Sequence, residues 1–124
     1  MDDERVWRFE ESLWRASDVR YRERVDPDCI MSLSRAPHIF AGRTAVDAVS
    51  QTPEWDEVAF AGREVRRPEE GLIVIGYRVA AAKGEARFEA ACTSVYRRRG
   101  HDDWTVVQHA QFPLEFQQET PDGR

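Results

Sequence analysis

His109 and Gln111 stand two residues apart in the run Val106-Val107-Gln108-His109-Ala110-Gln111-Phe112. On a strand, that spacing sends both side chains to one face. An imidazole titrates near neutrality and can serve as a general acid or base. A carboxamide two positions on can anchor a polar ligand group. Polar side chains on an otherwise apolar strand need partners or a ligand. His109 is therefore the candidate catalytic residue, with a hydrogen-bonded structural histidine as the plain alternative. Its expected surroundings are apolar, with no carboxylate close by.

The other chemistry-bearing residues are scattered. His38 follows Pro37 in a turn and could reach a pocket mouth, or be an ordinary exposed loop histidine. His101 lies in the polar turn Gly100-His101-Asp102-Asp103 and is expected in solvent. No pair of His or Cys has ligand spacing, so neither a metal nor another cofactor is expected. There is no glycine-rich phosphate loop and no Gly-x-Ser-x-Gly turn. Cys29 and Cys92 occupy apolar stretches. Two buried free thiols fit them better than a disulfide, which points to a reducing, cytoplasmic setting. Cys92 has no cation on its own strand face, so an inert thiol is expected. Arg97, Arg98 and Arg99 look like a solvated strand end. Tyr77, Trp55 and Tyr21 are candidate ligand contacts, the last two from segments expected to edge a pocket.

The elements that must hold these groups follow from patterning. Asp2, Asp3 and Glu4 precede Val6, Phe9, Leu13 and Ala16, with Trp7 and Trp14 beside them. That is an amphipathic helix with acids at its favourable end. Val19–Val25 suggests a short second helix, stopped by Asp26-Pro27-Asp28, which should lie in a solvated turn. Cys29–Ser34 and Ile39–Phe40 look like short strands. A third helix opens at Gly42-Arg43-Thr44 and ends near Gln51-Thr52-Pro53. Strands follow from Val58 to Val65, from Leu72 to Ala82, from Phe88 onward, and from Trp104 to Phe112. Lys83-Gly84-Glu85 is a tight hairpin signal. The fold class is α+β: a strongly curved antiparallel sheet with three N-terminal helices across its concave face, enclosing a cone-shaped pocket. Val6, Phe9, Leu13, Val46, Val49, Ile73, Ile75, Val95, Val106 and Val107 should form the core.

The 124 residues amount to one domain, 1–116, with a frayed tail at 117–124. A net charge of −5 disfavours nucleic acid as a partner. No apolar run approaches the roughly 20 residues of a membrane span, so no membrane partner is expected.

The run SVYRRRGHDDWTVVQHAQFPL resembles the C-terminal signature of a family of unknown function within the nuclear transport factor 2-like superfamily. Ser94, Tyr96, Trp104, His109, Gln111, Pro113 and Leu114 match its pattern of serine, strand aromatic, charged turn, tryptophan and His-Gln-x-Thr-Pro. RVDPDCIM and Gly42-Arg43 resemble the same family upstream. Ala110 and Phe112 depart from it, standing where glutamine and threonine are common. The resemblance covers most of the chain and implies the cone fold of the SnoaL-like and ketosteroid isomerase-like proteins. It also implies that the last strand lines the pocket. The isomerases place an aspartate base on the early strand, but the matching Ile30-Met31-Ser32-Leu33 has no acid, and their oxyanion-stabilising tyrosine-and-acid pair is not recognisable. Asp47 and Glu89 are possible substitutes. Three functions follow: a binding domain for a hydrophobic carbonyl or ring compound, a small isomerase, dehydratase or cyclase with His109 as base, and a dimerisation module. Apolar residues on both strand faces favour a homodimer, with Arg78, Arg87 and Glu89 at its rim.

Overall fold

The first element, helix α1 (Asp3–Arg15), forms as its pattern predicts. The Asp2 carboxylate caps it by accepting from the Arg5 backbone N–H at 2.8 Å. Arg15 in the last turn pairs with Glu11 one turn back at 2.7 Å. Its buried stripe is Val6, Trp7, Glu10, Leu13 and Trp14. The computed structural model describes residues 1–15, 21–51 and 54–114.

After α1 come a single 3-10 turn, Tyr21–Arg24, and strands β1 (Val25–Ser32) and β2 (Ile39–Ala41). Helix α2 (Arg43–Ser50) follows, and then β3 (Glu57–Glu69), β4 (Leu72–Lys83), β5 (Ala86–Gly100) and β6 (Asp103–Pro113). Two α-helices are therefore present among the described residues, not three. The expected second helix is replaced, where described, by the 3-10 turn, and Val25 already belongs to β1. Ala16 and residues 117–124 lie outside the described residues.

The sheet has six strands in the order β2-β1-β6-β5-β4-β3. Strands β3 to β6 form the expected antiparallel meander, with positive-φ Gly71 and Gly84 in its first two turns. The sheet is mixed, however, because β1 runs parallel to β6. Patterning shows that a segment is a strand but not the direction in which a distant strand docks.

Asp26 overturns the expected solvated turn. Its side chain is fully buried inside β1. It accepts from Arg97 and Thr105, both at 2.8 Å, and from the Asp28 backbone N–H at 2.9 Å. Arg99 approaches it at 3.5 Å and Arg98 pairs with Glu70 at 3.4 Å, so all three arginines of the run are ion-paired. Desolvation would raise the Asp26 carboxyl, but these donors outweigh it and hold it at about 2. Pro27 is accommodated because the β1–β6 ladder breaks between Val25 and Ile30.

Cross-strand rows organise the inner face. Tyr77, Cys92 and Gln111 form one row, and Ile75, Ser94, His109 and Met31 the next. Ile73, Tyr96 and Val106 form a third. Helix α1 lies over them. Trp7 packs edge-on to Tyr77 at 5.6 Å, and Phe9 edge-on to Tyr96 at 5.0 Å. Val95 and Val107 depart from the expected core and are only half-buried. Val95 points outward, and the β5–β6 register shifts between Val95 and Tyr96, which leaves Val107 unpaired in the ladder. Phe9 and Val46 are likewise half-buried against the core.

Candidate functional site

Glu10 is the residue that patterning missed. It is fully buried under α1, and its carboxylate gathers three hydroxyl groups from the sheet. Tyr96 donates to one oxygen. Tyr77 and Ser94 donate to the other, Ser94 at 2.7 Å. Trp14 donates its indole N–H to the Tyr77 oxygen at 2.9 Å, which directs the Tyr77 proton toward Glu10. Three O–H donors and no acceptor around one carboxyl group favour its ionised form. Burial alone would push the Glu10 carboxyl up. The adjacent His109 ring and the two tyrosine hydroxyls outweigh that and bring it below its ordinary value. The tyrosines respond in the opposite sense. Burial, reinforced by the Glu10 charge, pushes both well above the usual phenol value.

His109 continues the chain. Its Nδ1 lies 2.7 Å from Ser94 Oγ and 3.5 Å from Glu10 Oε2. The expectation of no carboxylate near His109 is thus incorrect. Glu10 stands 99 positions away in sequence (109 − 10) and arrives only through helix–sheet packing. Since the Ser94 proton goes to Glu10, Ser94 accepts from Nδ1–H. At the other end, Nε2 lies 3.1 Å from the Gln111 amide nitrogen. An amide nitrogen carries only donors, so Nε2 is the acceptor there.

The candidate cleft begins at this point. A pocket of about 50 Å³ is lined by Glu10, Leu13, Trp14, Met31, Leu33, Val49, His109 and Gln111. A larger recess of about 180 Å³ adjoins it and shares Trp14, Leu33 and Gln111. Its walls include Trp55 and Phe88, whose rings stack at 6.3 Å and 24°. The Trp55 backbone is tied to α1, since Arg15 donates to its carbonyl at 3.3 Å.

The structure brings His109, Gln111 and Trp55 to this cleft. Tyr77 is close in space but buried, with its hydroxyl engaged by Glu10 and Trp14, so it supports the floor without lining either space. His38 is exposed and its ring donates to the Leu33 carbonyl at 3.2 Å, outside both spaces. Tyr21 opens the 3-10 turn, and its side chain lies outside the described residues. Asp47 and Glu89 are exposed and do not line the cleft. Cys92 is buried beside this network, and burial, with the Glu10 charge, pushes its thiol up to about 12. Among the described residues no three His, Cys, Asp or Glu side chains are grouped to hold a metal. One sequence signal for Glu10 existed: it falls within the stripe Val6-Trp7-Glu10-Leu13-Trp14, an acid on the apolar side of a helix.

No family profile matches the chain, and no curated protein matches it in sequence. Solved structures do match. A ketosteroid isomerase-like protein from Parabacteroides distasonis superposes with a TM-score of 0.77 at 18% identity, over 89% of this chain and 86% of that one. An NTF2-like protein of unknown function in nutrient uptake from Rhodospirillum rubrum gives 0.73 at 14%, over 91% and 98%. The CaMKII hub homology domain of Chlamydomonas reinhardtii gives 0.69 at 16%, over 90% and 94%. The fold is that of the nuclear transport factor 2-like superfamily. No described helix is long and apolar enough to cross a membrane.

Proposed function

We propose that this domain binds a small, flat molecule in the cleft between Trp14, Leu33, Trp55 and Phe88, with Gln111 as its polar anchor. The supporting observation is the junction at Gln111. That side chain lines both the deep pocket and the outer recess, where aromatic walls meet a polar floor. The deep pocket, at about 50 Å³, is too small for a ring, whereas the outer recess accepts one. Binding is favoured over chemistry because Glu10 has its oxygens engaged by hydroxyls and His109 Nε2 is covered by Gln111. A base at His109 would first have to displace that amide. The test is a thermal-shift screen of single-ring compounds, repeated on Trp55→Ala. Ligands of the cleft raise the melting temperature of the native protein by mass action and lose that effect in the variant. Shifts that survive Trp55→Ala unchanged place the site elsewhere.

A second reading concerns assembly and is compatible with the first. Ile30, Ile39 and Phe112 are all more than half exposed, on the sheet face away from α1. Ala91, Thr93, Val95 and Ala110 share that face. A second copy of the chain packed across it by two-fold symmetry would cover these residues. Fold neighbours described as hub or association domains of a calmodulin-dependent kinase support an assembly role. Sedimentation equilibrium of the native protein and of Phe112→Asp tests it. A native monomer at micromolar concentration rejects it.

A further inference from the structure

The proposed cleft has a hydrogen-bonding polarity, and the buried network sets it. The geometry points to a ligand that donates an N–H to Gln111 Oε1, best of all a lactam or cis-amide edge that also offers a carbonyl. This rests on the cleft being a ligand site, and it narrows the ligand's chemical class.

A carboxylate only accepts, so it orients every group around it. The protons of Tyr96, Tyr77 and Ser94 are committed to Glu10. Ser94 has a single proton, so its oxygen can only accept from His109 Nδ1–H at 2.7 Å. The Gln111 amide nitrogen faces Nε2 at 3.1 Å, and two N–H donors cannot bond to each other, so in this arrangement the ring is neutral, with its proton on Nδ1 and the lone pair on Nε2. Each bond in the chain therefore points inward, toward the carboxylate. The Gln111 amide is turned with its nitrogen to His109 and its carbonyl oxygen away. Among the described residues no donor meets that oxygen, and no side-chain oxygen or nitrogen is buried without a partner. Oε1 must then reach open space, and the spaces that Gln111 lines are the two parts of the cleft. The second amide hydrogen of Gln111 remains beside it. An acceptor and a donor side by side match the edge of a lactam, which presents the complementary pair. A ring ketone offers only an acceptor and leaves Oε1 unpaired, which a desolvated site penalises. The hydrophobic carbonyl compound expected from the sequence is therefore the weaker fit.

The matched probes are 2-pyridone and N-methyl-2-pyridone, which share ring and carbonyl and differ in the N–H. Affinities are read by NMR titration of the Trp14 and Trp55 indole signals and the Gln111 amide signals. The native protein should bind 2-pyridone at least tenfold more tightly. In Gln111→Leu the preference should vanish. Equal binding of the two probes by the native protein overturns the polarity but leaves the cleft as a site. Persistence of the preference in Gln111→Leu also overturns it, because steric exclusion of the methyl group then suffices. Failure of both probes to move these signals overturns the cleft reading and this inference with it. The nitrogen-15 pattern of His109 provides a ligand-free check, with the proton expected on Nδ1. A proton on Nε2 would turn the Gln111 oxygen inward and reject the inference.

Discussion

Replacing Glu10 by glutamine keeps the shape of the side chain and removes its charge. The consequences can be worked from its three hydroxyl partners. Hydrogen bonds to a charged group contribute about 1.5–3 kcal/mol each, against about 0.5–1.5 for neutral pairs. Neutralising the acceptor thus weakens three bonds by roughly 1 kcal/mol apiece. The amide N–H also faces hydroxyls that were donating. At least one of them must turn, leaving a buried donor unsatisfied at about 1–3 kcal/mol. A neutral amide costs less to bury than a carboxylate, which offsets part of the loss. The net expectation is a destabilisation of roughly 2–4 kcal/mol, a large share of the about 5–15 kcal/mol of a typical domain. Urea unfolding at pH 7, followed by tryptophan fluorescence and circular dichroism, reads this directly. With a slope of about 1–3 kcal/mol per molar urea, the midpoint should fall by about 1–2 M. The pH dependence gives a second check. The folded Glu10 carboxyl is depressed, so its contribution is complete above the ordinary carboxylate range and is lost as pH falls through the folded value. The native protein and Glu10→Gln should therefore converge in acid. A variant within about 0.5 kcal/mol of the native protein at pH 7 would refute the carboxylate as the network's anchor.

Asp26 should make a separate acid-labile contribution on the order of 2 kcal/mol, present above pH 4 and lost as pH falls toward about 2. Asp26→Asn should flatten that limb of the stability–pH curve, and an unchanged limb would contradict the ion pairs with Arg97 and Arg99. Cys29 and Cys92 should resist iodoacetamide at pH 8 in the native protein and react in urea, as mass spectrometry would show. Burial raises both thiols above their ordinary value. Tyr96→Phe should cost about 1.5–3 kcal/mol by urea melt, since it removes one hydroxyl from the carboxylate and leaves the ring in place. A cost near zero would mean that the bond to Glu10 contributes little net stability.

Local patterning carries only local information, and the division is visible residue by residue. The α1 helix, the four-strand meander and the Gly84 hairpin follow from periodicity and turn chemistry, which act between near neighbours. The shared face of His109 and Gln111 follows from strand geometry alone. The resemblance in the last two strands pointed to the fold that the solved structures show. Other features depend on which distant segments meet. Asp26-Pro27-Asp28 looked like a turn because proline and aspartate favour turns; Arg97, Arg99 and Thr105 make a buried strand position tolerable for Asp26. The parallel β1–β6 pairing has no local signature, since strand direction is decided by docking. Glu10 appeared as one more acid on a charged helix. Packing against Tyr77, Ser94 and Tyr96, each more than 60 positions away, made it the centre of the molecule. The identity of His109 and Gln111, though not of Glu10 beside them, was legible in sequence. Their orientation was not, because a hydrogen bond acquires direction only when both partners and their neighbours are in place.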